Sequence, residues 1–236
     1  MPRDTGLDAG RVRAISLDLD DTLWPIWPTI ERAEAALQEW LNVHAPATAA
    51  WSATPGALRG IRNHMQMVRP DLAHDLSALR RESIRLALQC AGDDPALAEP
   101  AFEVFFEHRQ RVELFDDALP ALAWLSSRYP VVALTNGNAD VKRAGLGEHF
   151  RGSLSAREFG VGKPDARIFH AAAEMLGVEA GEVLHVGDDA HLDGVGALQA
   201  GMQLAWLNRE RQAWHHAPLQ PHLTVHDLLA LCRALD

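Results

Sequence analysis

Residues 16–25, SLDLDDTLWP, place three carboxylates directly after an apolar segment that has the character of a buried strand. Successive side chains of a strand point to opposite faces, so Asp18 and Asp20 share a face and their charges repel at short range. Such a pair predicts either that both carboxylates are fully hydrated or that a positively charged group lies between them. Carboxylate oxygens are ligands that Mg²⁺ prefers, and a lysine would offset the remaining charge.

Three other polar stretches flank predicted elements and carry groups suited to the same chemistry. They are Thr135-Asn136-Gly137 after an apolar strand, Gly162-Lys163-Pro164-Asp165 before a helix, and Gly187-Asp188-Asp189 with Asp193 after a second apolar strand. In open α/β sheets, ligands bind beyond the carboxyl ends of the strands. We therefore expect these stretches to meet the Asp18 stretch at one edge of a sheet and to form a Mg²⁺ site there.

The elements that must position these residues begin at about residue 112, where apolar runs typical of strands alternate with helical patterns. This alternation predicts a parallel sheet covered by helices on both faces, a doubly wound α/β fold. The predicted strands are 12–19, 131–135, 153–156, 183–187 and 204–208. The predicted helices are 117–128, a short one after residue 135, 165–176, 192–200 and 225–235.

Between the first strand and residue 112 the chain shows helical patterns alone, which predicts an inserted bundle of four helices. Apolar spacing places them at 29–44, 56–69, 71–91 and from Asp94 onward, where Pro100 is a potential break; residues 45–55 form a linker. The predicted division is a catalytic core of residues 1–24 and 112–236 with a helical cap of residues 25–111.

Composition excludes several classes of partner. The 236-residue chain carries a formal net charge of −10 and no dense run of Lys or Arg, which argues against a nucleic-acid partner. It contains no apolar run near the ~20 residues of a membrane helix and no signal-like N-terminus. Cys90 and Cys232 form no CxxC pair. We expect a cytoplasmic protein with reduced thiols, no membrane partner and an unspecified oligomeric state.

In their order and spacing, the four polar stretches resemble the motifs of the haloacid dehalogenase-like superfamily. These motifs are DxDxT, an apolar strand ending in Thr or Ser, a lone Lys, and GD followed by Asp five residues on. The helical insert resembles the first cap type of that superfamily. The resemblance covers the whole chain and implies a Rossmann-like core. Leu192 departs from the pattern, because many relatives have Asn there.

The resemblance implies a role for each polar residue at the expected site. Asp18 would be the nucleophile that forms an aspartyl-phosphate, and Asp20 would protonate the leaving oxygen and later activate water. Thr135 and the backbone of Asn136 would hold phosphate oxygens, while Lys163 would neutralise charge beside the nucleophile.

The resemblance also implies how the metal and its surroundings are built. Mg²⁺ would be bound by the carboxylates of Asp18 and Asp188 and by the backbone carbonyl of Asp20. Asp189 and Asp193 would orient waters or Lys163.

Within the superfamily, the stretches VALTNGNA, GLGEHF and EVLHVGDD resemble the bacterial flavin mononucleotide phosphatase group. That group also dephosphorylates 5-amino-6-(5-phosphoribitylamino)uracil in riboflavin synthesis. The implied activity is Mg²⁺-dependent hydrolysis of a small phosphorylated metabolite. Trp24 is a candidate for stacking on a flat substrate, with packing at the junction between core and cap as the equal alternative.

Two other functions stay open at this point. A 2-haloacid dehalogenase is suggested by WLNR at residues 206–209. Dehalogenation needs no general acid for an oxygen leaving group, so the presence of Asp20 argues against it. The second is a non-catalytic phospho-accepting or scaffold protein, against which the chain length and the helical insert argue. His185 is expected to be a core histidine with satisfied hydrogen bonds, and contact of His191 with the site is left open.

Overall fold

The computed structural model describes residues 6–54 and 56–236. The chain divides into two compact units: a core unit, Met1–Pro25 with Glu113–Asp236, and a helical unit, Ile26–Val112. Both boundaries between the units, after Pro25 and after Val112, fall one residue later in the chain than predicted. Each unit has its own hydrophobic core.

The helical unit contains five α-helices within its described residues, one more helix than the sequence predicts. They are α1 (Ile26–His44), α2 (Pro46–Ser52), α3 (Ala57–Val68), α4 (Leu76–Ala91) and α5 (Ala98–Arg109). Buried apolar residues of α1, α4 and α5 form most of its core, among them Leu37, Ile84 and Phe102.

Three differences from the predicted helices have local causes. Helix α2 lies in the predicted linker 45–55, because Pro46 stands at the first helical position, where its missing N–H is not needed. Pro100 lies in the first turn of α5 for the same reason and does not break it. Helix α4 begins at Leu76 rather than near residue 71, since the Asp75 side chain caps it by accepting from the Ala78 N–H at 2.9 Å.

The core unit is built on a parallel sheet, which confirms the predicted doubly wound α/β fold. Its described strands are β1 (Ala14–Leu17), β2 (Val131–Thr135), β3 (Gly152–Ser155), β4 (Val183–Gly187), β5 (Gln203–Leu207) and β6 (Leu223–Val225). They are ordered β3-β2-β1-β4-β5-β6, with parallel pairing throughout. The order reverses at β1, where such sheets bind their ligands.

The described part of the core unit has five α-helices: α6 (Ala118–Arg128), α7 (Ala156–Phe159), α8 (Ala166–Leu176), α9 (Gly196–Gln199) and α10 (Leu228–Leu235). The predicted helix 192–200 is instead a π-helical turn, Ala190–Val195, followed by α9. The short helix expected after β2 is replaced by turns and a 3₁₀ turn at Gly147–His149.

Two further differences concern the sheet. The first strand ends at Leu17, so Asp18 already belongs to the loop at the sheet edge. Strand β6 was not predicted, because three residues at the edge of a sheet, two half-buried and one buried, leave little pattern to detect. Among the helices of residues 6–54 and 56–236, none is long and apolar enough to cross a membrane.

Candidate active site

Strands β1, β2 and β4 end at one edge of the sheet and bring most of the predicted site residues together. The Asp18 N–H donates to the Val186 carbonyl at 2.9 Å, which continues the pairing of β1 with β4 by one residue. The Asp18 side chain is buried, and its Oδ1 accepts from Lys163 Nζ at 2.5 Å. The same Nζ donates to Asp193 Oδ1, also at 2.5 Å. Lys163 thus bridges the predicted nucleophile and the last carboxylate of the fourth motif.

Asn136, at the end of β2, holds the loop that carries Lys163. Its Oδ1 accepts from the Lys163 backbone N–H at 2.7 Å, and its Nδ2 donates to the Lys163 carbonyl at 2.8 Å. A Cβ on Gly162 would overlap this amide group, which explains the glycine. The predicted contribution of Asn136 was its backbone; its side chain has the additional task of fixing Lys163.

Asp193 is surrounded by donors. Its Oδ1 lies 2.5 Å from Lys163 Nζ and 3.1 Å from His185 Nε2, and its Oδ2 accepts from the Asp189 N–H at 3.0 Å. Burial would raise the pKa of Asp193, but Lys163 and the hydrogen bond from His185 outweigh it and lower the pKa to about 2. A Cβ on Gly187 would overlap the Asp193 carboxyl group, so this close approach depends on a glycine at the end of β4.

The carboxylates of Asp18, Asp188 and Asp193 form a cluster that could hold a metal ion, with one ligand atom from each within 4.8 Å of the others. Burial raises the pKa of Asp188 to about 9, and the nearby charge of Asp18 adds to the increase. Burial likewise raises the pKa of Asp18 to about 7, against the opposing effect of Lys163. Two neighbouring carboxylates whose ionised forms are disfavoured by burial are the donor set that a divalent cation would stabilise.

Within this cluster, Asp18 and Asp188 fit Mg²⁺ better than Asp193 does. Asp193 already accepts from three donors, whereas Asp188 accepts from the Thr22 hydroxyl at 3.2 Å, the longest of these contacts. The resemblance implies the same two carboxylates as metal ligands, together with the backbone carbonyl of Asp20, and a supporting role for Asp193.

The first loop places Asp20 beside Trp24 in a way that the sequence did not predict. Trp24 Nε1 donates to Asp20 Oδ1 at 2.8 Å, and the Asp21 N–H donates to the Trp24 carbonyl at 2.7 Å. Asp21 has a φ of 57°, which closes the tight turn between them. Trp24 is fully buried, so no face of its ring is available to stack on a substrate. The predicted substrate contact of Trp24 is therefore wrong, and its observed contact orients Asp20.

Thr135 and Asp189 complete the comparison of predicted and observed positions. Thr135 is buried at the end of β2 and accepts from the Gly137 N–H at 2.9 Å; a hydroxyl that accepts can still donate. Asp189 accepts from the His191 and Leu192 N–H groups at 2.8 and 2.7 Å, so its side chain caps the next turn. Asp189 is linked to Lys163 through Asp193, whose carboxylate accepts from the Asp189 backbone N–H and from Lys163 Nζ. The ring of exposed His191 lies 5.6 Å from that of His216.

Comparison with known proteins places this geometry in a family. A family model described as haloacid dehalogenase-like hydrolase matches residues 12–201. The chain is 35% identical to 5-amino-6-(5-phospho-D-ribitylamino)uracil phosphatase YigB of Escherichia coli (strain K12), over 94% of this chain and 95% of the relative. It is 32% identical to a phosphoserine phosphatase of Thermus thermophilus, over 92% and 96% of the two chains.

A solved structure is similar across nearly the full length. It is described as a 2-haloacid dehalogenase from Pseudomonas syringae pv. Tomato DC3000, with a TM-score of 0.84 and 38% sequence identity. The match covers 94% of this chain and 98% of that structure.

Proposed function

Because the chain belongs to the haloacid dehalogenase-like hydrolase family, we propose that it is a Mg²⁺-dependent phosphomonoester hydrolase with Asp18 as its nucleophile. The observation that carries the proposal is the placement of Asp18 between Lys163, at 2.5 Å, and the clustered carboxylate of Asp188. The similarity to two phosphatases over more than nine-tenths of the chain supports the same class of reaction.

In the first step, an Asp18 carboxylate oxygen attacks phosphorus and the bond to the leaving oxygen breaks. Asp20, held by Trp24, gives its proton to that oxygen. In the second step, Asp20 takes a proton from water as the water attacks the phosphorus of the aspartyl-phosphate. The bond between phosphorus and Asp18 then breaks, which regenerates the carboxylate and releases phosphate.

The residues around Asp18 stabilise the charge of this reaction. Lys163 Nζ lies beside the attacking oxygen, and the Thr135 hydroxyl and the Asn136 backbone N–H would bind phosphate oxygens. Mg²⁺, held by Asp18, Asp188 and the backbone carbonyl of Asp20, would neutralise the charge that a phosphate group brings next to these carboxylates.

The activity is tested with p-nitrophenyl phosphate. We expect EDTA to abolish turnover and added Mg²⁺ to restore it, because the buried carboxylates need a cation when phosphate binds. Mg²⁺ should also raise the thermal midpoint of the wild-type protein and not that of Asp188→Asn, since a ligand that binds the native state stabilises it. Turnover that persists undiminished in EDTA would remove the metal from the proposal.

The solved dehalogenase makes 2-haloacid hydrolysis the second candidate. In that reaction a carboxylate attacks carbon and halide leaves without a proton, so Asp20 and Asp188 would have no part in its first step. Incubation with each enantiomer of 2-chloropropionate, in EDTA and in Mg²⁺, separates the two functions. Release of chloride without phosphatase activity would establish the second.

We further propose that the substrate is flavin mononucleotide or 5-amino-6-(5-phosphoribitylamino)uracil. The support is the similarity to the ribitylaminouracil phosphatase across 94% of this chain. We expect kcat/KM for these two esters to exceed that for phosphoserine, phosphoglycolate and hexose phosphates at equal Mg²⁺, measured by phosphate release. If phosphoserine or a sugar phosphate ranks first, the substrate assignment fails and the phosphatase assignment remains.

A further inference from the structure

A line of buried polar side chains runs behind the Asp18–Lys163 pair. Ser16 Oγ lies 2.8 Å from His185 Nδ1, His185 Nε2 lies 3.1 Å from Asp193 Oδ1, and that oxygen lies 2.5 Å from Lys163 Nζ. We call these four residues the buried network. Ser16 and His185 are fully buried, and Lys163 and Asp193 are exposed by 5% and 1%. Polar contacts between these side chains thus link the sheet edge that carries Asp18 to the interior of the sheet.

The strand register explains how His185 reaches this position. Ser16 of β1 pairs with His185 of β4, so the two side chains lie side by side on one face of the sheet. Asp18 follows Ser16 by two residues and extends from the same face. The His185 ring meets Phe169 of α8 edge to face, with centroids 5.0 Å apart. Strand pairing and packing therefore fix the His185 ring beside Ser16, on the interior side of Asp18.

The hydrogen-bond partners decide where the proton of His185 lies. The Asp193 carboxylate accepts but cannot donate, so Nε2 carries the hydrogen, and Nδ1 of the neutral ring accepts from the Ser16 hydroxyl. The Met202 sulfur, 3.9 Å from Ser16 Oγ, is the weaker acceptor for the same hydroxyl proton. His185 is thus an N–H donor that is aimed at Asp193 from inside the sheet.

We propose that His185 is a positioning residue that holds Asp193, and through it Lys163, in line with Asp18. This inference rests on the proposed function for its effect on catalysis. Asp193 Oδ1 receives Nε2–H and Lys163 Nζ together, so the direction of the carboxylate is set from both sides. Without the donor from His185, Asp193 can turn toward Lys163 and draw the ammonium group away from Asp18. A small displacement at a reacting group is costly for the rate.

Two amide substitutions that differ in reach provide the test. In His185→Gln the amide nitrogen lies near the former place of Nε2 and can still donate to Asp193. In His185→Asn the shorter amide lies near the former place of Nδ1, so it can contact Ser16 but not Asp193. We expect His185→Asn to lower kcat for p-nitrophenyl phosphate by about 10- to 100-fold with little change in KM, and His185→Gln to retain most of the activity.

A second measurement reports on Lys163 without any substrate. The chain contains two lysines, Lys142 and Lys163, so protein labelled with ¹⁵N-lysine gives two side-chain ammonium signals. Lys142 is exposed and serves as the internal reference. We expect the Lys163 signal to shift and its protons to exchange faster in His185→Asn than in wild type or His185→Gln, with Lys142 unchanged. This signal tests the positioning role even if p-nitrophenyl phosphate is not a substrate.

A control separates positioning from loss of stability. Leu122→Ala removes a buried side chain of α6 and should lower the thermal midpoint while leaving kcat and the Lys163 signal unchanged. If His185→Asn does not fold, His185→Phe keeps a ring against Phe169 without the donor and should give the same changes. An unchanged Lys163 signal and kcat in either folded variant would overturn the proposal.

Discussion

Replacement of Asp18 by Asn should lower kcat for p-nitrophenyl phosphate by about 10³-fold or more. The reason is chemical, because an amide is a poor nucleophile and cannot form the aspartyl-phosphate. The protein should stay folded, since the amide oxygen can still accept from Lys163 and burial already disfavours the ionised form of Asp18. The measurements are initial rates at saturating Mg²⁺ and a thermal melt of the same preparation.

The control for this variant is a measurement of the mass of the purified protein. Deamidation of the introduced asparagine would regenerate the natural carboxylate, so the sample must be shown by mass spectrometry to be free of the deamidated form. Near-wild-type turnover in a folded and intact Asp18→Asn protein would exclude Asp18 as the nucleophile.

The second large effect is expected at Lys163, where charge alone should not be enough. Nζ lies 2.5 Å from oxygens of both Asp18 and Asp193, and the side chain is almost fully buried. A guanidinium group is planar and larger than an ammonium group, so it cannot occupy the same point between two carboxylates. We expect Lys163→Arg to lose about 10²-fold in kcat/KM, close to the loss in Lys163→Ala.

The chain supplies a matched control at its other lysine. Lys142 is exposed, and its backbone N–H donates to the Asp140 side chain at 2.8 Å, a contact that a change of side chain preserves. Lys142→Arg should therefore leave the rate unchanged. Full activity in Lys163→Arg would show that a positive charge suffices and that the position of Nζ does not matter.

The positions of the site residues were predictable from the sequence because they depend on strand ends. A short apolar run marks a buried strand, and the residues at its carboxyl end must lie at the sheet edge. Asp18, Thr135 and Asp188 were placed at that edge in this way. Lys163 needed more information, since its loop is brought to the edge by two hydrogen bonds to Asn136.

The contacts that were not predicted depend on side-chain direction and register. The sequence shows that Trp24 follows the first motif, but not that its indole N–H turns back to Asp20. The role of His185 depends on the pairing of Ser16 with His185, which joins residues 169 positions apart. A histidine within an otherwise apolar strand, three residues before a carboxylate pair, was the available signal, and a satisfied core histidine fits it equally well.

The order of the strands has a consequence for how the protein is made. The central strand β1 is translated first, and its pairing partners β2 and β4 follow only after the whole helical unit. The helical unit is continuous in sequence, so its contacts are local, whereas Ile15 pairs with Val131 and Leu184. Long-range pairing of this kind slows folding. Until β2 and β4 pair with it, β1 has two unpaired apolar edges, which are prone to association with other chains. Asp18 is therefore synthesised before the helical unit, Lys163 and Asp193, and its site cannot assemble until Asp193 has followed.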